Sequence, residues 1–281
     1  MKTIISTKKK YHKVLSIAGS DSGGGAGIQA DTKAISAMGC YAMTAITAVT
    51  VQNTIGVQSV HPIPLDTLAG QIDAVLSDIG ADAVKIGMLH SAEAVRIVAE
   101  KIKPYNIKNV VLDPVMVSTS GHRLIEESAV EVIKKCLIPL VRVLTPNVPE
   151  AEILLGRTIV GEYDFQEAVK ELSNRYKVSV LLKAGHLSGN VLTDYFYNME
   201  DDTLTLLPSK RVDTMNTHGT GCTLSSAFAA ALAQNENLTK AAISAKKYIE
   251  QAIIAGADYE IGNGHGPVNH FFGFMKDCNE D

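Results

Sequence analysis

The chain has 281 residues, 46% of them apolar and 20% charged, with a formal net charge of −4 and a pI near 6.1. This is globular composition, without the low hydrophobicity and high charge of a disordered chain, and the acidic balance removes the basic footprint that nucleic-acid binding needs. No apolar run approaches the length of a membrane span, and four dispersed cysteines (Cys40, Cys136, Cys222, Cys278) with no CxxC pair argue against a zinc or thioredoxin-type motif and for a reduced, cytoplasmic protein.

Residues 1–12 read as a short basic extension. Met1–Lys13 holds five lysines, and no apolar segment follows as it would in a signal peptide. From there short apolar runs alternate with helix-period segments. Val14–Ala18 is a predicted strand and Gly27–Met38 a predicted helix. Ala42–Gln52, rich in Thr, Val and Ile, is a second strand, and Val57–Ile63 a short third. Leu65, Leu68, Ile72, Val75 and Leu76 recur at helical spacing. Strand Ala83–Ile86 and helix Ala92–Ile102 follow, then strand Val110–Leu112, helix Glu126–Cys136 and strand Val141–Leu144. Helix Asp164–Tyr176 leads to strand Val180–Lys183. Leu192–Tyr197 and Thr203–Leu207 flank a hairpin turn at Asn198–Asp202. Gly221–Ala233 and Leu238–Ala255 close the chain as helices.

This alternation predicts an α/β fold: a mostly parallel sheet with helices on both faces, three layers in all. No linker or repeat divides it, so 13–272 reads as one domain and 273–281 as a polar tail. Ligands of such sheets sit beyond the carboxyl ends of the strands, and that is where the unusual residues fall.

Gly19–Gly27 carries five glycines in nine residues between the first strand and the first helix, which frees the backbone to approach a ligand. Gly25–Ala30 fits GxGxxA, but the acidic residue expected about 20 positions later in a dinucleotide site is missing, which argues against an oxidoreductase. Asp31, one turn into the helix, and Gln52, at the end of the second strand, could together read a heteroaromatic ring, an amine facing the carboxylate and a ring nitrogen the amide. The plainer reading of each is a solvated polar residue. Asp113 and Glu150 follow two other strands and suit Mg²⁺ held through water; Asn147 suits a helix N-cap. Lys183, after another strand, could neutralise a phosphate.

The strongest signal is Thr217–Thr223. Gly219-Thr220-Gly221 stacks backbone N–H groups at a helix start, an anion hole for a transferring phosphoryl group. Cys222 stands in the first turn, where the helix dipole is expected to lower a thiol's pKa and let a thiolate take a proton from a substrate hydroxyl; the plainer reading, a buried inert cysteine, is weakened by the phosphate-ready loop beside it. A Walker A motif, GxxxxGK(S/T), is absent, which argues against a P-loop kinase.

The strings Ile17–Asp31, Gln52–Thr54, Lys85–Leu89, Leu112–Val117, Thr145–Glu150, Thr217–Thr223 and Gly266–His270 resemble the ribokinase-like superfamily. Within it they resemble the hydroxymethylpyrimidine/phosphomethylpyrimidine kinases of thiamine biosynthesis. The resemblance runs from about Lys13 to His270, nearly the whole chain. It implies ATP-dependent phosphorylation of 4-amino-5-hydroxymethyl-2-methylpyrimidine and then of its monophosphate, with ATP and Mg²⁺ as cofactors. It further implies that Asp31, Gln52, Ala26 and Met88 hold the pyrimidine and that Lys183, Thr217 and Asn147 face ATP. Asp113 and Glu150 would serve Mg²⁺ through water, and Gly219, Thr220, Gly221 and Cys222 would carry the transfer. The partner is a small molecule, with neither nucleic acid nor membrane, and homodimers occur in the family. Related pyridoxal kinases form the alternative; some carry a second cysteine in the segment that here reads Val117–His122 without one. That Ser/Thr/Gly-rich segment is expected to close over the site.

Overall fold

The structure, a computed structural model, describes residues 9–116, 126–183 and 191–274. The expected closing segment 117–122, residues 184–186 after Lys183, the first eight residues and the tail from 275 lie outside the described residues. In chain order the elements are β1 (Lys13–Asp21), α1 (Gly27–Ala37), β2 (Tyr41–Gln52), β3 (Val57–Pro62), α2 (Leu65–Asp78) and β4 (Ala83–Ile86). Then come α3 (Ala92–Ile102), β5 (Val110–Leu112), α4 (Glu127–Val132), β6 (Val143–Leu144), α5 (Val148–Leu155) and α6 (Gly161–Tyr176). The last are β7 (Ser179–Leu182), β8 (Val191–Asn198), β9 (Thr203–Lys210), α7 (Thr220–Ala233) and α8 (Leu238–Gly256).

The strands form one sheet in the order β3-β2-β1-β4-β5-β6-β7-β8-β9. The run from β2 to β7 is parallel; β3 at one edge and the β8–β9 hairpin at the other are antiparallel. Successive side chains alternate between faces. Leu15 and Ile17 of β1 enter a core with Leu68 and Ile72 of α2, Val95 and Val98 of α3, and Phe165 and Leu172 of α6. Val14 enters the opposite core, with Ala34 and Ile35 of α1, Phe228 of α7 and Ala241 and Ala245 of α8. This is the three-layer α/β/α arrangement. Helix α7 is buried from Thr223 to Ala233, and its many alanines let it lie close against the sheet, α1 and α8 at once. Among the described residues no helix is long and apolar enough to cross a membrane.

Three differences from the sequence reading matter for the site. First, β1 continues past Ala18 to Asp21, because a register shift against β2 between Ala18 and Ser20 lets the pairing resume. Asp21 is thereby brought to the carboxyl edge of the sheet. Second, α5 is an additional helix. Its Pro149 sits in the first turn, where no backbone N–H is needed, so the proline that interrupts an apolar run starts the helix instead. Third, the helix expected over 126–136 is α-helical only to Val132. It tightens and loosens through a π turn at Ile133–Leu137 and a 3₁₀ turn at Ile138–Leu140, which leaves β6 two residues long.

Candidate active site

The glycine-rich loop after β1 is folded around one carboxylate. Asp21 Oδ1 accepts from Gly23 N at 2.8 Å, and Oδ2 accepts from Gly25 N at 3.0 Å and Ala26 N at 2.8 Å. His218 Nε2 stands 2.8 Å from Asp21 Oδ2 and 3.3 Å from Gln52 Nε2. Burial alone would raise the Asp21 carboxyl; the bonds from His218, Ala26 and Gly23 outweigh it and hold it below the usual carboxylate range. The two glycine loops interlock. Gly219 has φ +80°, and a Cβ there would lie 1.8 Å from the carbonyl oxygen of Gly25, so only glycine fits. Met88, with its Cε against Gly19, and Ala26 complete this wall.

Helix α7 starts directly after Gly219 and has no side-chain cap; the Thr220 N–H donates to Thr217 O at 3.3 Å, and the next N–H groups, of Gly221 and Cys222, are left for the same space. Beside it stand two buried carboxylates and a lysine. Lys183 Nζ donates to Asp113 Oδ1 at 2.7 Å, and Thr145 and Ser225 hydroxyls approach Asp113 at 3.3 and 3.4 Å. A Cβ on Gly221 would lie 3.3 Å from Lys183 Nζ and 3.5 Å from Asp113 Oδ2, which puts the pair against the helix start. Burial, with the Asp113 charge adding to it, pushes the Glu150 carboxyl up to about 7, although the Lys183 charge opposes the shift. Burial also works against the charged form of Lys183, yet Asp113 and Glu150 hold its pKa above the usual lysine value. The site therefore carries more negative charge than its lysine balances. A divalent cation held by Asp113 and Glu150 would relieve that excess, so this donor set fits Mg²⁺. Among the described residues no group of three or more His, Cys, Asp or Glu is gathered as a direct metal site.

Both regions open into one cavity of about 740 Å³. Its far end is apolar, with Leu192, Val212, Leu224, Ile249 and Ile253, and is rimmed by Lys210, Arg211 and Lys246. Lys246 is itself paired with Asp194 at 2.7 Å.

Of the residues singled out from sequence, Ala26, Gln52, Met88, Asp113, Asn147, Glu150, Lys183, Thr217, Gly219, Thr220, Gly221 and Cys222 all line this cavity. Asp31 does not. It is fully buried and takes four hydrogen bonds from within the core, so it has neither access nor acceptor capacity to spare for a ligand. The carboxylate on the cavity wall is Asp21. The lowered thiol pKa expected for Cys222 is also corrected: burial pushes it up to about 11, against the opposing charge of Lys85 and the Gly27 N–H. Asn147 caps α5, its Oδ1 accepting from Glu150 N while Glu150 Oε2 accepts from Asn147 N, both at 2.9 Å. Its oxygen is thus spent on the helix although the residue reaches the cavity. Asp21 and His218 were missed as site residues. The available signal was an aspartate two residues before a run of glycines, whose unpaired N–H groups require an acceptor.

A cavity at the carboxyl edge of a doubly covered sheet, joining a polar wall to an uncapped helix start with lysine and paired carboxylates, defines a small-molecule phosphotransferase of the ribokinase-like fold. The model of the phosphomethylpyrimidine kinase family matches residues 21–269, and the chain belongs to that family. It is 47% identical over 264 residues to the hydroxymethylpyrimidine/phosphomethylpyrimidine kinase of Rhizobium meliloti (strain 1021), covering 94% of this chain and 98% of that protein. Among solved structures, the ADP complex of Bacillus subtilis pyridoxal kinase is similar with a TM-score of 0.86 at 36% identity, covering 95% of this chain and all of the other (100%). The phosphomethylpyrimidine kinase of Clostridium difficile 630 gives a TM-score of 0.76 at 42% identity, covering 86% and 99%.

Proposed function

We propose that this chain transfers the γ-phosphoryl group of ATP to the hydroxymethyl oxygen of 4-amino-5-hydroxymethyl-2-methylpyrimidine, and in a second reaction to the phosphate of the product. The observation that carries the reading is the single cavity, built almost wholly from residues within the family match, that joins the Asp21–Gln52–His218 wall to the start of α7. The wall offers the Gln52 amide and the His218 imidazole to an aminopyrimidine, with Met88 and Ala26 as apolar contacts for its ring, while Asp21, its oxygens taken by Gly23, Gly25, Ala26 and His218, holds the loop that shapes the wall. The apolar end between β8, β9 and α8 takes the adenine, and Lys210 at its rim faces phosphate charge.

Between them the N–H groups of Gly219, Gly221 and Cys222 receive the equatorial oxygens of the group in flight, while the Thr220 N–H closes the turn onto Thr217 O at 3.3 Å. Such transfers depend on positioning and charge more than on covalent chemistry. Lys183 neutralises phosphate charge, and Thr217 and Asn147 line the nucleotide side of the same passage. Asp113 and Glu150 would hold Mg²⁺ through water; the ion would supply charge neutralisation between the phosphates.

The test is an ADP-coupled assay with hydroxymethylpyrimidine, its monophosphate and pyridoxal as separate acceptors. Turnover of the first two at comparable kcat/KM, with pyridoxal at least about tenfold poorer, is expected, a gap one or two good contacts supply. Turnover of pyridoxal alone would assign the chain to the second reading, a pyridoxal kinase, which its structural likeness to the Bacillus subtilis enzyme favours.

A further inference from the structure

Beneath the start of α7 lies an ion pair that the transfer chemistry does not use. Lys85, in the otherwise apolar strand β4, and Asp31 of α1 are both fully buried, and Lys85 Nζ donates to both Asp31 oxygens at 2.8 Å. Ser16 of β1 donates to Asp31 Oδ2 at 2.6 Å and Ser226 of α7 to Asp31 Oδ1 at 2.7 Å. One carboxylate thus ties β1, β4, α1 and α7 together.

Its place along the two helices is the informative part. Asp31 is little more than one turn below Ala26 and Gly27, where α1 opens on the cavity, and Ser226 is one turn below Cys222. The two helix starts adjoin: Gly219 lies against Gly25, and the Gly27 N–H faces the Cys222 sulfur. The charged groups around that sulfur are Lys85, Asp31, Asp113 and Lys183. A buried ion pair is a poor source of stability, since well-packed apolar residues of similar volume often serve as well or better. Its value here is geometric and electrostatic.

We propose that Lys85, acting through Asp31 and Ser226, is a positioning residue for phosphoryl transfer, fixing the start of α7 against that of α1 and placing a permanent cation under the anion hole. The inference rests on the kinase reading given above. A loosened helix start still binds a phosphate through its N–H groups but meets the transition state less well, so the loss falls on kcat.

The test is the volume-matched double variant Lys85→Met/Asp31→Leu, which leaves no orphan charge. In the full chain kcat for hydroxymethylpyrimidine is expected to fall about tenfold or more while both KM values stay within about threefold. The pH midpoint for alkylation of Cys222, followed by peptide mass mapping, is expected to rise, because the Lys85 charge favours the thiolate more than Asp31 opposes it. Wild-type kcat together with an unshifted midpoint overturns the proposal. If the double variant does not fold, Ser226→Ala carries the test. It removes only the link to α7; a kcat reduced about threefold at unchanged KM supports the role, and an unchanged kcat overturns it. A wild-type chain without turnover would instead defeat the kinase reading. The alkylation midpoint needs no turnover and still tests the pair, with no shift counting against it.

Discussion

Cys222 is where the two proposed reactions part. A hydroxymethyl group must lose a proton as it attacks, whereas a phosphate monoester is largely ionised at neutral pH. A thiol pushed up to about 11 is almost wholly protonated at pH 7, so its thiolate is a scarce species whose population rises about tenfold per pH unit. Replacement of Cys222 by alanine is therefore expected to cut the first transfer by about 10²-fold and the second by less than about threefold, the scale of a positioned base. The wild-type ratio of first to second kcat should climb between pH 6 and 9, and the climb should vanish in the variant. Equal losses in both steps would make Cys222 a shaper of the anion hole alone. Asp31 shows how far single residues were legible. Ile28, Asp31 and Ile35 fall on one helical face, so the pattern that marks a buried stripe already includes the aspartate. Lys85 sits likewise among Ala83, Val84 and Ile86. A carboxylate on one apolar stripe and an ammonium in another predict each other, but only the β1–β4 pairing brings them together.

At the scale of elements, the chain's last segment braces α7 from behind. His218 N donates to Gly266 O at 3.0 Å, His270 Nε2 meets Thr223 Oγ1 at 2.9 Å, and Tyr248 donates to His270 O at 2.7 Å. Burial pushes the His270 imidazole down to about 4, with the Lys33 charge acting in the same direction. A histidine whose folded pKa lies below its unfolded value stabilises the fold above the unfolded pKa, near 6.5. That contribution, on the order of 3 kcal/mol from the shift, is lost as pH falls from there through about 4. Thermal melting at pH 7 and pH 5 is expected to show a larger drop for wild type than for His270→Gln, which keeps a partner for Thr223 but cannot titrate. Equal drops would mean that other groups govern the acid limb. Most helices were legible from period and caps. Of helix α5 only the N-cap Asn147 was legible; its body was not, because an isolated proline inside the Asn147–Glu150 capping box reads first as a break.

At the scale of the molecule, strand order arranges the chemistry. From β1 to β8 the sheet takes five steps, about 24 Å at the usual strand spacing. The polar wall sits over β1 and β2, Asp113, Glu150 and Lys183 follow the central strands, and the apolar nucleotide end lies over β8 and β9. Two substrates can lie end to end across the sheet with the transferring group between them. The parallel sheet and its loaded edge were legible from alternation alone. The order was not, because the neighbours of β1 are set by crossovers and by which apolar faces meet, information carried between distant segments. On the kinase reading one wall receives both the pyrimidine and its monophosphate. The most direct measurement is the phosphorylation rate of the monophosphate as hydroxymethylpyrimidine is added, with ³¹P NMR following both products. Competitive inhibition, with monophosphate and diphosphate both formed, is the predicted result; diphosphate formation indifferent to the added pyrimidine would contradict it.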